Sequence, residues 1–141
     1  MKEEKNVSHY LRAKCNVKSR AGLVAALEEL GFHPEVGDAP LPLYGYHGDR
    51  RPEQAHVVIR RREVGPSSND VGFLELEDGS FEAVVSEFDR RRGWGADRLA
   101  RVAQLAGVHA DLAVAAGLGL VAERVDGEGG VIDVYVYSRE G

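Results

Sequence analysis

The chain is poor in the residues that most often carry chemistry, with one cysteine (Cys15), one methionine and one tryptophan in 141 residues. A lone cysteine excludes a disulfide framework and any metal site built on several thiolates. No HxH, HExxH, CxxC, GxGxxG or Walker spacing occurs, so the common metal, dinucleotide and phosphate-loop signatures are missing and no cofactor is expected. No apolar run approaches the roughly 20 residues that cross a bilayer. The opening stretch Met1 to Asn6 is charged and lacks an apolar segment. Export and membrane attachment are therefore not expected, and the cytoplasm is the expected compartment.

What is present is ordinary globular material: 43% hydrophobic and 29% charged residues, with a net charge of −5. This length suits one domain, expected over residues 7–139, with residues 1–6 as a frayed or disordered end. The acidic balance disfavours a generic nucleic-acid binder, but the charge is unevenly placed. Residues 50–62 hold five arginines against one glutamate, whereas residues 105–141 hold two arginines against six carboxylates. A local basic patch on an acidic protein is thus permitted.

The core is expected between residues 70 and 119. Two β-prone runs, 71–76 and 81–88, flank Asp78-Gly79, the strongest short-range hairpin signal in the chain. A bend at Arg90-Arg91-Arg92-Gly93-Trp94 follows. Residues 97–117 then form the longest helical pattern, with Leu99, Val102, Ala103, Ala106, His109, Leu112, Ala113 and Ala116 on one face, and Gly107 is a point where it could divide. Before this core, residues 7–17 alternate as a half-buried strand, placing His9, Leu11, Ala13 and Cys15 on one side. Ser19 is expected to cap a helix that ends at Gly31. Residues 32–36 read as a short edge strand, 38–42 as a loop, 55–62 as a strand and 65–70 as a loop in which an insertion would cost little. A last hairpin is expected over 120–137. The pattern is α+β: a largely antiparallel or mixed sheet of about six to eight strands, with two or three helices packed on one face.

Each candidate chemistry has a plainer competitor. His9, His33, His47, His56 and His109 are scattered; His9 and His109 alone could meet, as a weak metal or ligand centre, but histidines on apolar faces are more commonly packing groups. Cys15 sits on a buried face, where a thiol is inert. Glu75, Glu77, Glu82 and Glu87 read as the wet face of a hairpin rather than as an acid–base pair. No catalytic residue is assigned. The remaining candidates are Tyr44, Tyr46, Arg60, Arg61, Arg62, Arg90, Arg91, Arg92 and Trp94. Arginines with exposed aromatics suit a protein interface, or an anion or single-stranded nucleic acid. Their plainer role is to end strands and discourage edge pairing.

Several stretches together resemble the hypothetical chloroplast reading frame thirty-five family, uncharacterised proteins of plastids, cyanobacteria and other bacteria. They are Val7-Ser8-His9-Tyr10, Leu27-Glu28-Glu29-Leu30-Gly31-Phe32, Gly45-Tyr46-His47-Gly48 before Ala55-His56-Val57-Val58-Ile59-Arg60, Asp70-Val71-Gly72-Phe73, and Val121-Ala122-Glu123-Arg124. Loops 38–42 and 65–69 are longer than in that pattern, and the long helix is richer in alanine. The resemblance implies a small soluble α+β protein with no catalytic residues to carry over. Because bacterial relatives tend to be encoded beside AAA-type ATPases, it also implies an accessory role and such a complex as partner. The leading expectation is therefore a non-enzymatic adaptor for a larger protein. The alternatives are a nucleic-acid or anion-binding module on the arginine and aromatic residues, and a small enzyme or metal-binding domain centred on His9 and His109.

Overall fold

A computed structural model describes residues 10–139, and His9, with the expected frayed end at 1–6, lies outside the described residues. The elements run β1 Tyr10–Cys15, α1 Arg20–Glu29, β2 Glu35–Tyr44, β3 Arg50–Ile59, α2 Arg61–Val64, β4 Val71–Glu75, β5 Phe81–Ser86, α3 Glu87–Arg90, α4 Ala96–Gly117, β6 Val121–Asp126 and β7 Ile132–Tyr137. The fold is α+β. Five strands form an antiparallel sheet in the order β1-β5-β4-β3-β2, and β6 and β7 pair separately as a second, two-stranded sheet.

Local chemistry explains the ends of α1. Ser19 Oγ accepts the Gly22 N–H at 2.9 Å, supplying one of the donors left open at a helix start. Gly31, at φ +97°, turns the chain out after the last turn. α1 and α4 cover one face of the main sheet. Between them lie Cys15, Leu23, Leu27, Val57, Ile59, Phe73, Phe81, Val85, Val102 and Leu105, all buried. The two helices cross closely, since a Cβ on Gly22 would lie 2.5 Å from the Ala106 carbonyl oxygen. A smaller cluster of Leu43, Ala55, Val58 and Val84 fills the other face, where the outer end of the β2–β3 hairpin folds back over the sheet.

Several segments depart from expectation. Residues 38–42 belong to β2, not to a loop; residues 37–40 bulge against His56 alone, between the pairs Val36–Val57 and Leu41–Ala55. An edge strand tolerates Pro40 and Pro42 because its outer donors need no partner. Residues 65–70 are not a solvated loop at their end, because Ser68, Asn69 and Asp70 are 5%, 3% and 1% exposed. An insertion there would be costly. β3 starts earlier than residue 55 and stops at Ile59, and β5 stops at Ser86, whose Oγ accepts the Asp89 N–H and starts α3. α4 runs unbroken through Gly107. Its buried face includes Leu105, Val108 and Ala115, whereas Ala113 and Ala116 are exposed because the helix outruns the main sheet and meets only the last hairpin there.

Candidate functional site

The pairing of Ile59 with Val71 makes Arg60 and Asp70 cross-strand neighbours one step beyond the β3–β4 ladder. Asp70 is 1% exposed, and a charge so placed must be compensated by pairing and hydrogen bonds. Its Oδ2 accepts the Tyr44 N–H at 2.8 Å and Arg60 Nη1 at 2.7 Å, and its Oδ1 accepts the Arg61 N–H at 2.7 Å. Arg60 also donates to the Pro42 carbonyl and to Glu35 Oε1, each at 2.9 Å. Burial works against the charge on Arg60, but the Glu35 and Asp70 carboxylates outweigh it and raise its pKa above the ordinary guanidinium value. The same hydrogen bond from Arg60 holds Glu35 below the usual carboxylate range. One carboxylate thereby fixes the end of β2, the start of α2 and the side chain of Arg60.

A second set of buried polar groups supports the first. Asn69 donates its backbone N–H to Asp89 Oδ2 at 3.0 Å and its side-chain amide to Ser86 Oγ at 3.0 Å, while Ser86 Oγ donates to Asp89 Oδ2 at 2.8 Å. Asn69 Oδ1 accepts the Tyr46 N–H at 2.8 Å. From the far edge of the sheet, the Tyr10 hydroxyl donates to the Asp70 carbonyl at 2.6 Å. Burial, reinforced by the negative charges of Asp70 and Asp89, raises the Tyr10 pKa, so this hydroxyl stays a donor.

Above this clasp lies a cleft of about 380 Å³ lined by Tyr44, Gly48, Arg60, Arg61, Arg62 and Asp70. Arg61 and Arg62 are exposed and make no ion pair among the described residues, although Arg62 lies close enough to Glu35 to help depress its pKa. Arg60, by contrast, is committed to its carboxylates and lies over the Tyr44 ring, 5.8 Å from its centroid. The cleft thus presents two unengaged guanidinium groups, which suit a carboxylate or phosphate on whatever binds.

The structure disperses the other candidates. Tyr46 is 47% exposed and lies against His47, with ring centroids 4.8 Å apart. Arg91 and Arg92 are exposed beyond α3, with Arg92 over the Phe88 ring, and Arg90 is half-buried. None of the three lines the cleft. Trp94 requires correction: it is 2% exposed and packs on Phe32 and Phe73, with the Arg98 guanidinium over its ring. Gly93, at φ +114°, turns the chain so that the indole enters the core, which removes it as a stacking surface. His109 Nε2 lies 2.8 Å from Glu29 Oε1, and Arg124 grips both oxygens of the same carboxylate at 2.8 Å. His109 thus forms part of a clamp between α1, α4 and β6, and its intended partner His9 lies outside the described residues. Among the described residues, no three His, Cys, Asp or Glu side chains gather as a metal would need. Cys15 is buried, which pushes its thiol up to about 11. Glu75 and Glu82 are engaged with Arg20 and Arg12 respectively.

Sequence reasoning missed Asp70 and Asn69, the residues that hold the site. Opposite charges at the facing ends of two consecutive strands, Arg60 and Asp70, were the available signal. Compared with family models, curated proteins and solved structures, the chain matches none. Among the described residues, no helix is long and apolar enough to cross a membrane.

Proposed function

We propose that the protein is a non-enzymatic accessory protein that docks on a larger protein through the arginine cleft. One observation carries this reading. Arg61 and Arg62 stand exposed on a helical turn whose first N–H is fixed by buried Asp70, so two cations are presented from a rigid base without being consumed by internal ion pairs. Preorganised arginines beside a tyrosine are the residue types that dominate protein interfaces. The acceptor on the partner is then an acidic segment. The resemblance to the reading-frame family makes an AAA-type ATPase the class of partner to look for first.

Nucleic-acid or anion binding by the same arginines is less well supported. Single-stranded recognition relies on stacked aromatic platforms, and Trp94 lies in the core while the Tyr44 ring is overlaid by Arg60. An enzyme centred on His109 is disfavoured by its engagement with Glu29.

The test is affinity capture from the source cells with the wild-type chain and with the Arg61→Glu/Arg62→Glu variant, matched for folding by circular dichroism. A protein recovered stoichiometrically with wild type and lost with the variant is expected. Recovery of the same proteins with both, or of none with either, would refute docking through the cleft.

A further inference from the structure

The β6–β7 hairpin stands apart from the main sheet and is tied to the helices by Arg124 on Glu29 and by Gln104 Nε2 donating to the Gly130 carbonyl. Ile132 is its one side chain packed against the main core. A two-stranded sheet is at best marginally stable on its own. Yet the hairpin and the overhanging end of α4 expose Val114 (61%), Leu118 (70%), Tyr135 (54%), Val136 (48%) and Tyr137 (47%). Val136 shares the α4-facing side of the hairpin with Val134, while Tyr135 and Tyr137 stand on its opposite side, so apolar surface is exposed on both faces beside the β7 edge.

The geometry narrows what fits. A groove of about 250 Å³ lies between α4 and the hairpin, and its lining includes Val134 and Val136 of β7 but no residue of β6. It therefore opens along the outer edge of β7, which has no strand beside it among the described residues. The bond from Gly127 N–H to the Val131 carbonyl sets the alternation of this antiparallel pair. By that alternation Asp133, Tyr135 and Tyr137 exchange bonds with β6, and Val134 and Val136 turn their N–H and C=O groups outward, over the groove.

Charge selects the occupant. Asp111 lines the groove, and Glu123 and Asp133 stand on the outer face of the hairpin, whereas the one arginine on β6, Arg124, is spent on Glu29 and Asp126. A second copy of the chain would bring the same carboxylates against these, which opposes self-pairing. We propose that the open edge of β7 receives an extended segment of a partner protein that alternates apolar with basic residues. Its backbone adds a third strand, its apolar side chains fill the groove and its basic side chains, on the opposite face, stand beside Asp133 with Glu123 one strand further on. This inference does not depend on the arginine cleft. If both hold, the molecule has two docking surfaces of opposite charge.

The probe is a short peptide alternating lysine with valine, blocked at both ends, titrated into the isotope-labelled full chain and followed by amide chemical shifts. A glutamate–valine peptide of the same length serves as comparison. Saturable shifts at residues 114–118 and 132–137 with the lysine peptide alone are expected. Val134→Pro removes an outward N–H without touching the β6 ladder and should weaken binding roughly tenfold. Asp133→Lys should weaken it through like charge, and Arg61→Glu/Arg62→Glu should leave it unchanged. Equal shifts of residues 132–137 with the two peptides, binding of neither, or shifts with the lysine peptide confined to other residues would overturn the proposal. So would a chain that sediments as a dimer with these amides already protected, since the occupant would then be a second copy.

Discussion

Ala55 and Gly72 touch although they lie three positions out of register. Gly72 pairs with Val58, yet a Cβ on Gly72 would lie 2.5 Å from the Cβ of Ala55 and 3.1 Å from Leu43 Cδ2. β3 therefore leaves β4 beyond Val57 and bends across its face. The His56 Nδ1 takes the Glu75 N–H at 2.9 Å, the donor left where the ladder has ended. This bend carries Tyr44 and Gly48 to the cleft and sets Leu43 and Ala55 as the lid of the second core.

Gly72→Ala should consequently destabilise the fold by about 1–3 kcal/mol, the usual cost of overpacking a close contact. Adding Ala55→Gly to that variant should recover part of the loss. Urea unfolding of the two single variants and the double variant checks this, and additive losses would show that the contact is not the cause.

Asp70→Asn should cost about 3 kcal/mol, because it removes one partner of a buried pair and leaves Arg60 short of a counter-charge. The same substitution should loosen Arg61 and so reduce partner capture. A change in the urea midpoint equivalent to less than about 1 kcal/mol would mean that Arg60 is compensated by Glu35 alone.

Glu29 is drawn down from its ordinary value of 4.5 to about 2, chiefly by the hydrogen bonds from Arg124 and further by His109. A carboxylate depressed in the folded state stabilises the fold above its unfolded pKa, and that stabilisation is lost as pH falls through the folded value. The clamp between α1, α4 and the hairpin should therefore weaken between pH 4.5 and about 2. Glu29→Gln should lower Tm at neutral pH and converge with wild type near the acid end of that window. The difference should also shrink in high salt, since the site is partly exposed. A pH-independent gap would contradict the assignment.

Cys15 should resist thiol reagents in the folded chain and react freely in denaturant, because burial both covers the sulfur and holds its pKa at about 11. Rapid labelling under native conditions would show that β1 opens readily at this edge.

The parts legible beforehand are those decided by neighbours in sequence. Asp78-Gly79 set the β4–β5 turn, Ser19 and Gly31 bounded α1, and the alternation of Leu11, Ala13 and Cys15 marked β1. The parts that were not legible depend on distant partners. Ser68, Asn69 and Asp70 have the composition of a wet loop; the burial of Asn69 and Asp70 rests on partners brought in by the fold, Tyr46, Ser86 and Asp89 for Asn69 and Tyr44, Arg60 and Arg61 for Asp70. Trp94, between glycines and after three arginines, has the surroundings of a surface residue, and only Phe32 and Phe73 make it part of the core. Alternation gave β6 and β7 as strands but carried no information on whether they join the main sheet.

Photo-crosslinking tests docking through the cleft most directly. A photoreactive amino acid is placed in turn at Arg62, on the cleft, and at Lys14, on the exposed side of β1. Irradiation in the source cells should yield one dominant adduct from position 62 and not from position 14, lost when Asp70→Asn loosens the clasp. Equal adducts from both positions, or none from position 62, would contradict the account.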